Sequence, residues 1–174
     1  MAMSNTTIFI SIDEPSWQQF LPEAQELADN VISAVFSYVT KNEQIDFLDG
    51  EKPLLFNLSL SNNQQVQTLN REYRGMDKPT NVLSFASIDD PDFYNEIALY
   101  EEIELGDIAI ALETLQQEAE LKQISLKNHF CHLLVHGLLH LLGFDHIEDD
   151  QAEHMETAEI QILNQLNIPN PYKE

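Results

Sequence analysis

The sequence predicts an α+β protein with about four strands in a mixed sheet and about five helices. Short runs of apolar and β-branched residues alternate with longer segments whose apolar residues recur every three or four positions. Glycine, proline and asparagine separate these segments, and the chain contains no internal repeat. A length of 174 residues with 43% hydrophobic composition predicts one domain, residues 1–174, with a core of its own.

The first half of the chain predicts two strand and helix pairs. Residues 8–12 form the first strand, and a break at a proline precedes a long helix. One face of that helix carries its apolar residues: Leu27, Val31, Ala34, Val35 and Tyr38. The second strand spans residues 54–60, and Asn62 or Asn63 caps the following helix, which Gly75 ends.

The second half predicts two further strands and three helices. The strands are residues 82–85 and 106–111, and the second of them leads into a helix. Between them, residues 89–104 contain seven acids and no base, which predicts a solvated loop or insertion. A capping box at residues 150–153 begins the last helix, and residues 167–174 are predicted to be a tail.

The charge is strongly acidic, since 8 Lys and Arg against 30 Asp and Glu give a net charge of −22. This balance favours solubility and disfavours phosphate backbones in general, so no DNA partner is expected. One local exception is Arg71, Arg74 and Lys78, which fall within eight residues. No secretory signal and no apolar run long enough to cross a membrane are visible, which predicts a cytoplasmic protein with no membrane partner.

A predicted helix that Ser125 caps carries the candidate metal ligands of the chain. His136 and His140 are four residues apart, so both imidazoles lie on one helix face and can converge on one ion. Gly143 ends this helix in a left-handed turn, as at the end of a zincin metal helix, and lets His146 fold back to the same face. The spacing predicts a metal site made of these three histidines.

Three neutral imidazoles suit one Zn²⁺ per chain, although Ni²⁺ or another divalent transition metal is also compatible. Three protein ligands leave the fourth position open, which is typical of catalytic rather than structural zinc. The spacing resembles that of the metzincin proteases, but Gly137 stands where those enzymes have their glutamate base. His132 is predicted to be a packed or ligand-orienting residue, because it lies too far along the helix to share an ion with His140.

Three motifs together are more specific: HGLLHLLGFDH, LNREYRGMDKPTNVLSF from Leu69, and LGDI from Leu105. In this order they resemble the YbeY family of bacterial metal-dependent endoribonucleases, over about residues 54–146. The resemblance implies a nuclease specific for single-stranded RNA, with His136, His140 and His146 as metal ligands and Arg74 as a functional arginine. It also implies a role in maturing the 3′ end of small-subunit (16S) ribosomal RNA and in ribosome quality control, with the small ribosomal subunit as partner.

Phosphodiester cleavage needs an activated nucleophile, a Lewis acid and a cation for the developing charge. A metal supplies the first two, and Arg74 is the natural third because a guanidinium binds phosphate in bidentate fashion. Arg71 and Lys78 are predicted to contact flanking phosphates. Asp145 and Asp107 are predicted to orient an imidazole or to act as a weak general base.

Two alternatives remain open at the level of sequence. One is a metzincin-like hydrolase of peptides or amides, which the zinc spacing and the acidic charge favour and Gly137 disfavours. The other is a ribosome-assembly factor whose metal is structural. The family pattern also often has aspartate where this chain has Asn81, and the acidic segment 89–104 is longer than a compact member requires.

Overall fold

A four-stranded mixed sheet organises the molecule, and the structure, a computed structural model, describes residues 6–173. The strands, in the spatial order β1-β2-β4-β3, are β1 (Thr6–Ile12), β2 (Leu54–Ser61), β4 (Ile103–Ala111) and β3 (Val82–Ala86). The first three run parallel, and β3 pairs antiparallel with β4. The predicted α+β class and mixed sheet are therefore confirmed.

Seven helices are found in the described residues, against about five predicted. They are α1 (Ser16–Phe20), α2 (Ala24–Asn42), α3 (Asn63–Arg74), α4 (Phe93–Leu99), α5 (Leu112–Lys122), α6 (Leu126–Leu141) and α7 (Asp149–Gln165). The two that were not predicted, α1 and α4, have only five and seven residues. Such short segments carry too few turns to show a helical period in the sequence.

Helix α6 lies at the centre of the core and contacts α2, α5, α7, β3 and β4. Apolar residues surround it on most sides because leucine, valine and phenylalanine occupy all of its faces except the one that bears histidines. Phe130 of α6, for example, is fully buried and packs edge-on against Trp17, with ring centroids 5.8 Å apart. A helix apolar nearly all round is held in place by the whole fold.

The other face of the sheet has a smaller apolar cluster under α3. It consists of Val66, Leu83, Ala109 and Ala111. Ile108, one residue before Ala109 on β4, lies against α6 instead. Because successive side chains of a strand point to opposite faces, α3 and α6 cover opposite sides of the sheet.

The sequence predicted a loop for the acidic segment 89–104, but part of this segment is helical. Residues Phe93–Leu99 are helical, and Phe93 is buried edge-on against Phe47 with centroids 5.3 Å apart. Lys52 donates to the backbone carbonyls of Ile97 and Tyr100, the latter over 2.8 Å. A few apolar side chains among the acids and one lysine at the helix end therefore fix this segment to the protein.

The start of the last helix was also predicted wrongly. Its capping box joins Glu148 and Gln151, two residues before the predicted position. The predicted tail is partly structured as well, since Ile168 is 9% exposed and packs on the core. None of the helices in residues 6–173 is both long and apolar enough to span a membrane.

Candidate metal centre

The position of α6 fixes the two helical histidines. Ser125 caps the helix as predicted, its hydroxyl accepting from the backbone N–H of Asn128 over 3.0 Å. Gly137 then packs directly on the sheet: a Cβ there would lie 3.1 Å from Ser84 Oγ and 3.3 Å from the Ile108 side chain. The glycine thus permits a close approach of α6 to β3 and β4. Any larger residue here, including a glutamate at the zincin position, would require Ser84 and Ile108 to move.

Gly143 makes the turn that brings in the third histidine. Its φ of 101° is in the left-handed region that favours glycine. The backbone N–H of Phe144 donates to the carbonyl of Leu139 over 3.0 Å, which closes the helix end. As a result the ring centroid of His146 lies 5.5 Å from that of His136 and 5.0 Å from that of His140.

The predicted constellation is therefore present, with one ligand atom from each of His136, His140 and His146 within 4.8 Å of the others. The Nε2 atoms of His136 and His140 are 3.1 Å apart. Two nitrogens bound to one tetrahedral zinc ion would be about 3.3 Å apart, given Zn–N distances of about 2.0–2.1 Å. The donor set fits a zinc ion, and the nitrogens of His136 and His140 already lie near the spacing that such an ion requires.

The far nitrogen of His140 has a partner that turns Nε2 toward this centre. Nδ1 lies 2.9 Å from the carbonyl oxygen of Phe144 and donates to it in the neutral tautomer. Burial, followed by the neighbouring His136, lowers the pKa of His140. A lowered pKa favours the neutral ring, which is the form that binds metals.

Glu159 of α7 was not predicted, and its carboxylate contacts one of the candidate ligands. It is 1% exposed, and its Oε2 lies 3.3 Å from Nδ1 of His136. Its Oε1 lies 2.8 Å from Nε2 of His132 and accepts from the hydroxyl of Tyr172 over 2.8 Å. Burial alone would raise the pKa of Glu159, but the hydrogen bonds from His132 and His136 hold it at about 2. The carboxylate is therefore ionised beside the histidines.

Arg74 lines the same cavity as the three histidines, at the end of α3. It donates to the backbone carbonyl of Ser84 over 2.5 Å, and its guanidinium lies 5.2 Å from the ring centroid of Phe85. The cavity has a volume of about 530 Å³ and also includes Lys122, a cation that sequence reasoning did not single out. Two cations, two carboxylates (Asp89 and Asp145) and five imidazoles thus line one cavity.

The other predicted contacts lie elsewhere. Arg71 pairs with Asp77 over 3.5 Å, both side chains being more than half exposed, and neither Arg71 nor Lys78 lines the cavity. Asp107 lies on the face of the sheet opposite α6 and accepts from Nδ2 of Asn57 over 2.9 Å. The prediction that Asp107 orients an imidazole is therefore wrong, because β4 points its side chain away from the histidines.

Asp145 does line the cavity, but its carboxylate accepts from the backbone N–H of His146 over 2.7 Å. It thereby shapes the turn that holds the third histidine. Asn81 donates to Glu118 over 2.9 Å, and Glu118 lies 2.8 Å from Nε2 of His129. An amide suits this position because an aspartate would face a second carboxylate.

The fold and the site together define a mixed α+β protein with a candidate three-histidine metal centre beside an arginine. Comparison with known proteins narrows this class. The family described as "Endoribonuclease YbeY" matches residues 12–167. A protein named "Endoribonuclease YbeY" from Paramagnetospirillum magneticum is 40% identical to this chain, over 97% of this chain and 98% of its own length. A protein of the same name from Sinorhizobium fredii is 39% identical, over 98% of this chain and 94% of its own length. This chain belongs to the YbeY family.

A solved structure is similar as well. A Thermotoga maritima protein, determined in solution, matches with a TM-score of 0.52 at 19% identity, over 97% of each chain. At this identity the match shows the shared fold alone.

Proposed function

We propose that this protein is a zinc-dependent endoribonuclease that hydrolyses phosphodiester bonds of single-stranded RNA. The observation that carries the proposal is the placement of His136, His140, His146 and Arg74 around one cavity, in a chain of the YbeY family. One Zn²⁺ per chain is the metal that three imidazoles with an open fourth position favour.

A bound zinc ion supplies a Lewis acid and lowers the pKa of water. The protein's own residues orient the ligands and bind the substrate. His140 is held by Phe144 and His136 by Glu159, so each presents Nε2 to the centre. Arg74 has five N–H donors, and its bond to Ser84 leaves others for the oxygens of the scissile phosphate. Lys122 is placed to attract a second phosphate into the cavity.

The substrate we propose is small-subunit (16S) ribosomal RNA near its 3′ end, met in the cytoplasm on the small ribosomal subunit. The names of the relatives support RNA as the substrate class. The net charge of −22 supports a narrow target, because most of the surface repels a phosphate backbone while Arg74 and Lys122 line the cavity.

Peptide hydrolysis is less favoured by the same packing. The proteases with this zinc spacing need a glutamate at the position of Gly137, where this chain has no side chain and α6 packs tightly on Ser84 and Ile108. Glu159 does not replace it, since both of its oxygens already contact His132, His136 and Tyr172.

Cleavage of a single-stranded ribosomal RNA fragment by the zinc-loaded protein tests the proposal. Parent protein should cut the fragment, His140→Ala should not, and Arg74→Ala should cut it much more slowly. Lys41→Ala, which removes an exposed cation at the far end of α2, serves as the matched control and should cut like the parent. Cleavage by the parent that persists undiminished in chelator-treated buffer, or cleavage by His140→Ala at the parent's rate, would overturn the proposal.

A further inference from the structure

The segment after α7 returns to the metal centre. Asn167 has a φ of 61°, a left-handed turn, and the backbone N–H of Ile168 donates to the carbonyl of Leu163 over 2.9 Å. Ile168 is buried, and the chain beyond it brings the hydroxyl of Tyr172 within 2.8 Å of Glu159. We call residues 166–173 the return segment. Through Tyr172 this segment contacts Glu159, which in turn contacts the candidate ligand His136.

Glu159 is unusual among the acids of this chain because it is almost fully buried. Burying a carboxylate is costly unless hydrogen bonds replace the lost water. Its two oxygens have three partners: Nδ1 of His136, Nε2 of His132 and the hydroxyl of Tyr172. The charge is therefore held by contacts that all converge on the metal side of α6.

The two ring nitrogens of His136 face different partners. Its Nε2 faces Nε2 of His140, while its Nδ1 faces Glu159. A proton on Nδ1 that is donated to Glu159 leaves Nε2 as the free ligand nitrogen and fixes the plane of the ring. His132 and Tyr172 hold the carboxylate in turn, so its position does not depend on His136 alone.

We propose that Glu159 and Tyr172 are positioning residues of the metal centre, and that the return segment and the metal stabilise each other's binding through Tyr172, Glu159 and His136. This inference rests on the proposed function insofar as it requires the three histidines to bind a metal. Coupling of two binding events is reciprocal, so what Tyr172 adds to metal affinity, the metal adds to docking of the return segment.

Zinc affinity tests the first half of this inference. Competition against a chromophoric chelator would compare the parent with Glu159→Gln and Tyr172→Phe. Loss of a group that orients a metal ligand typically weakens binding by about 10–100-fold. We expect a loss in that range for Glu159→Gln and a smaller one, on the order of 3–10-fold, for Tyr172→Phe, which keeps the carboxylate. Glu153→Gln, exposed on α7, and Tyr100→Phe, exposed elsewhere, are the matched controls and should bind like the parent.

Hydrogen exchange tests the second half. Zinc should slow exchange of the backbone amides of Ile168 and Tyr172 in the parent protein. In Tyr172→Phe, zinc should slow the exchange of these amides only by the smaller amount that its weaker binding predicts. In His140→Ala, zinc should not change their exchange rates.

The outcomes separate the two proposals. A folded parent that binds no zinc overturns the proposed function. A parent that binds zinc, with Tyr172→Phe and Glu159→Gln binding as tightly as their controls, overturns this inference alone. Tyr172→Phe removes one hydroxyl from a side chain that is 43% exposed, so it keeps the test decisive even where Glu159→Gln fails to fold by circular dichroism.

Discussion

Arg74 donates a hydrogen bond to the backbone carbonyl of Ser84, so the last residue of α3 is tied to the strand that lines the candidate metal cavity. Helix α3 covers the face of the sheet opposite α6. The guanidinium lies over Phe85 at the β3 edge of the sheet and lines the same cavity as the histidines of α6. Its placement relative to the metal centre is thus set by two independent layers of the fold.

Replacing Arg74 should impair catalysis and leave metal binding intact. Removing one group that stabilises developing charge typically costs about 10²–10³ in rate, and we expect that loss for Arg74→Ala. Arg74→Lys should recover little of it, because an ammonium cannot make the paired contacts of a guanidinium. Cleavage rates and zinc affinities of the three proteins check this. A zinc affinity that falls together with the rate would contradict it.

Removing the metal should abolish cleavage without unfolding the protein. The centre lies at the end of a helix that the apolar core already holds, so α6 does not need an ion to form. We expect chelation to leave the far-ultraviolet spectrum unchanged and zinc to restore activity. Loss of helical signal on chelation would instead support a structural metal, as in the assembly-factor alternative.

Introducing the zincin glutamate at Gly137 should destabilise the protein rather than create a peptidase. A Cβ alone would lie 3.1–3.3 Å from Ser84 and Ile108, and a buried carboxylate there has no basic partner among the contacts described. We expect Gly137→Glu to lower the free energy of unfolding by more than about 3 kcal/mol. Urea unfolding measures this, with Gly50→Glu, at an open position, as control. A stable Gly137→Glu protein that cleaves peptides would reverse our preference for RNA.

The metal-free protein should lose stability as the pH falls below about 6.5. Burial lowers the pKa of His129 below its ordinary value of 6.5, so the unfolded chain binds this proton more readily than the folded one. Stability therefore falls with pH through this window. His140 contributes in the same direction. His129→Gln, which cannot ionise, should show a weaker fall between about pH 7.5 and about pH 5.5 in chelator-treated urea titrations. An equal fall in both proteins would show that His129 is not responsible.

The elements that the sequence predicted well are those with long local patterns. The strands were placed within a few residues, and the histidine spacing with Gly143 sufficed to locate the candidate ligands. Asp107 was misjudged although its position held the answer: it alternates with the buried Ile108 and Ile110, so it had to face away from α6.

The contacts of Glu159 and Tyr172 could not have been found in this way. Glu159 does lie on the apolar stripe of α7, between Met155 and Ile162, but its partners depend on how α7 packs across α6. Tyr172 lies in a segment whose prolines and polar residues predicted a tail. Both contacts join residues 13 or more positions apart, which no periodicity encodes.

The three histidines are not held with equal rigidity. His136 and His140 stand on α6, whose amides are protected by the core and should exchange only when the protein unfolds globally. His146 is exposed on the turn after Gly143 and can move by local opening alone. A metal ion would thus have two ligands on a stable helix and a third on a turn that can open locally. The rate of metal release should therefore follow the opening of this turn rather than the global stability of the protein.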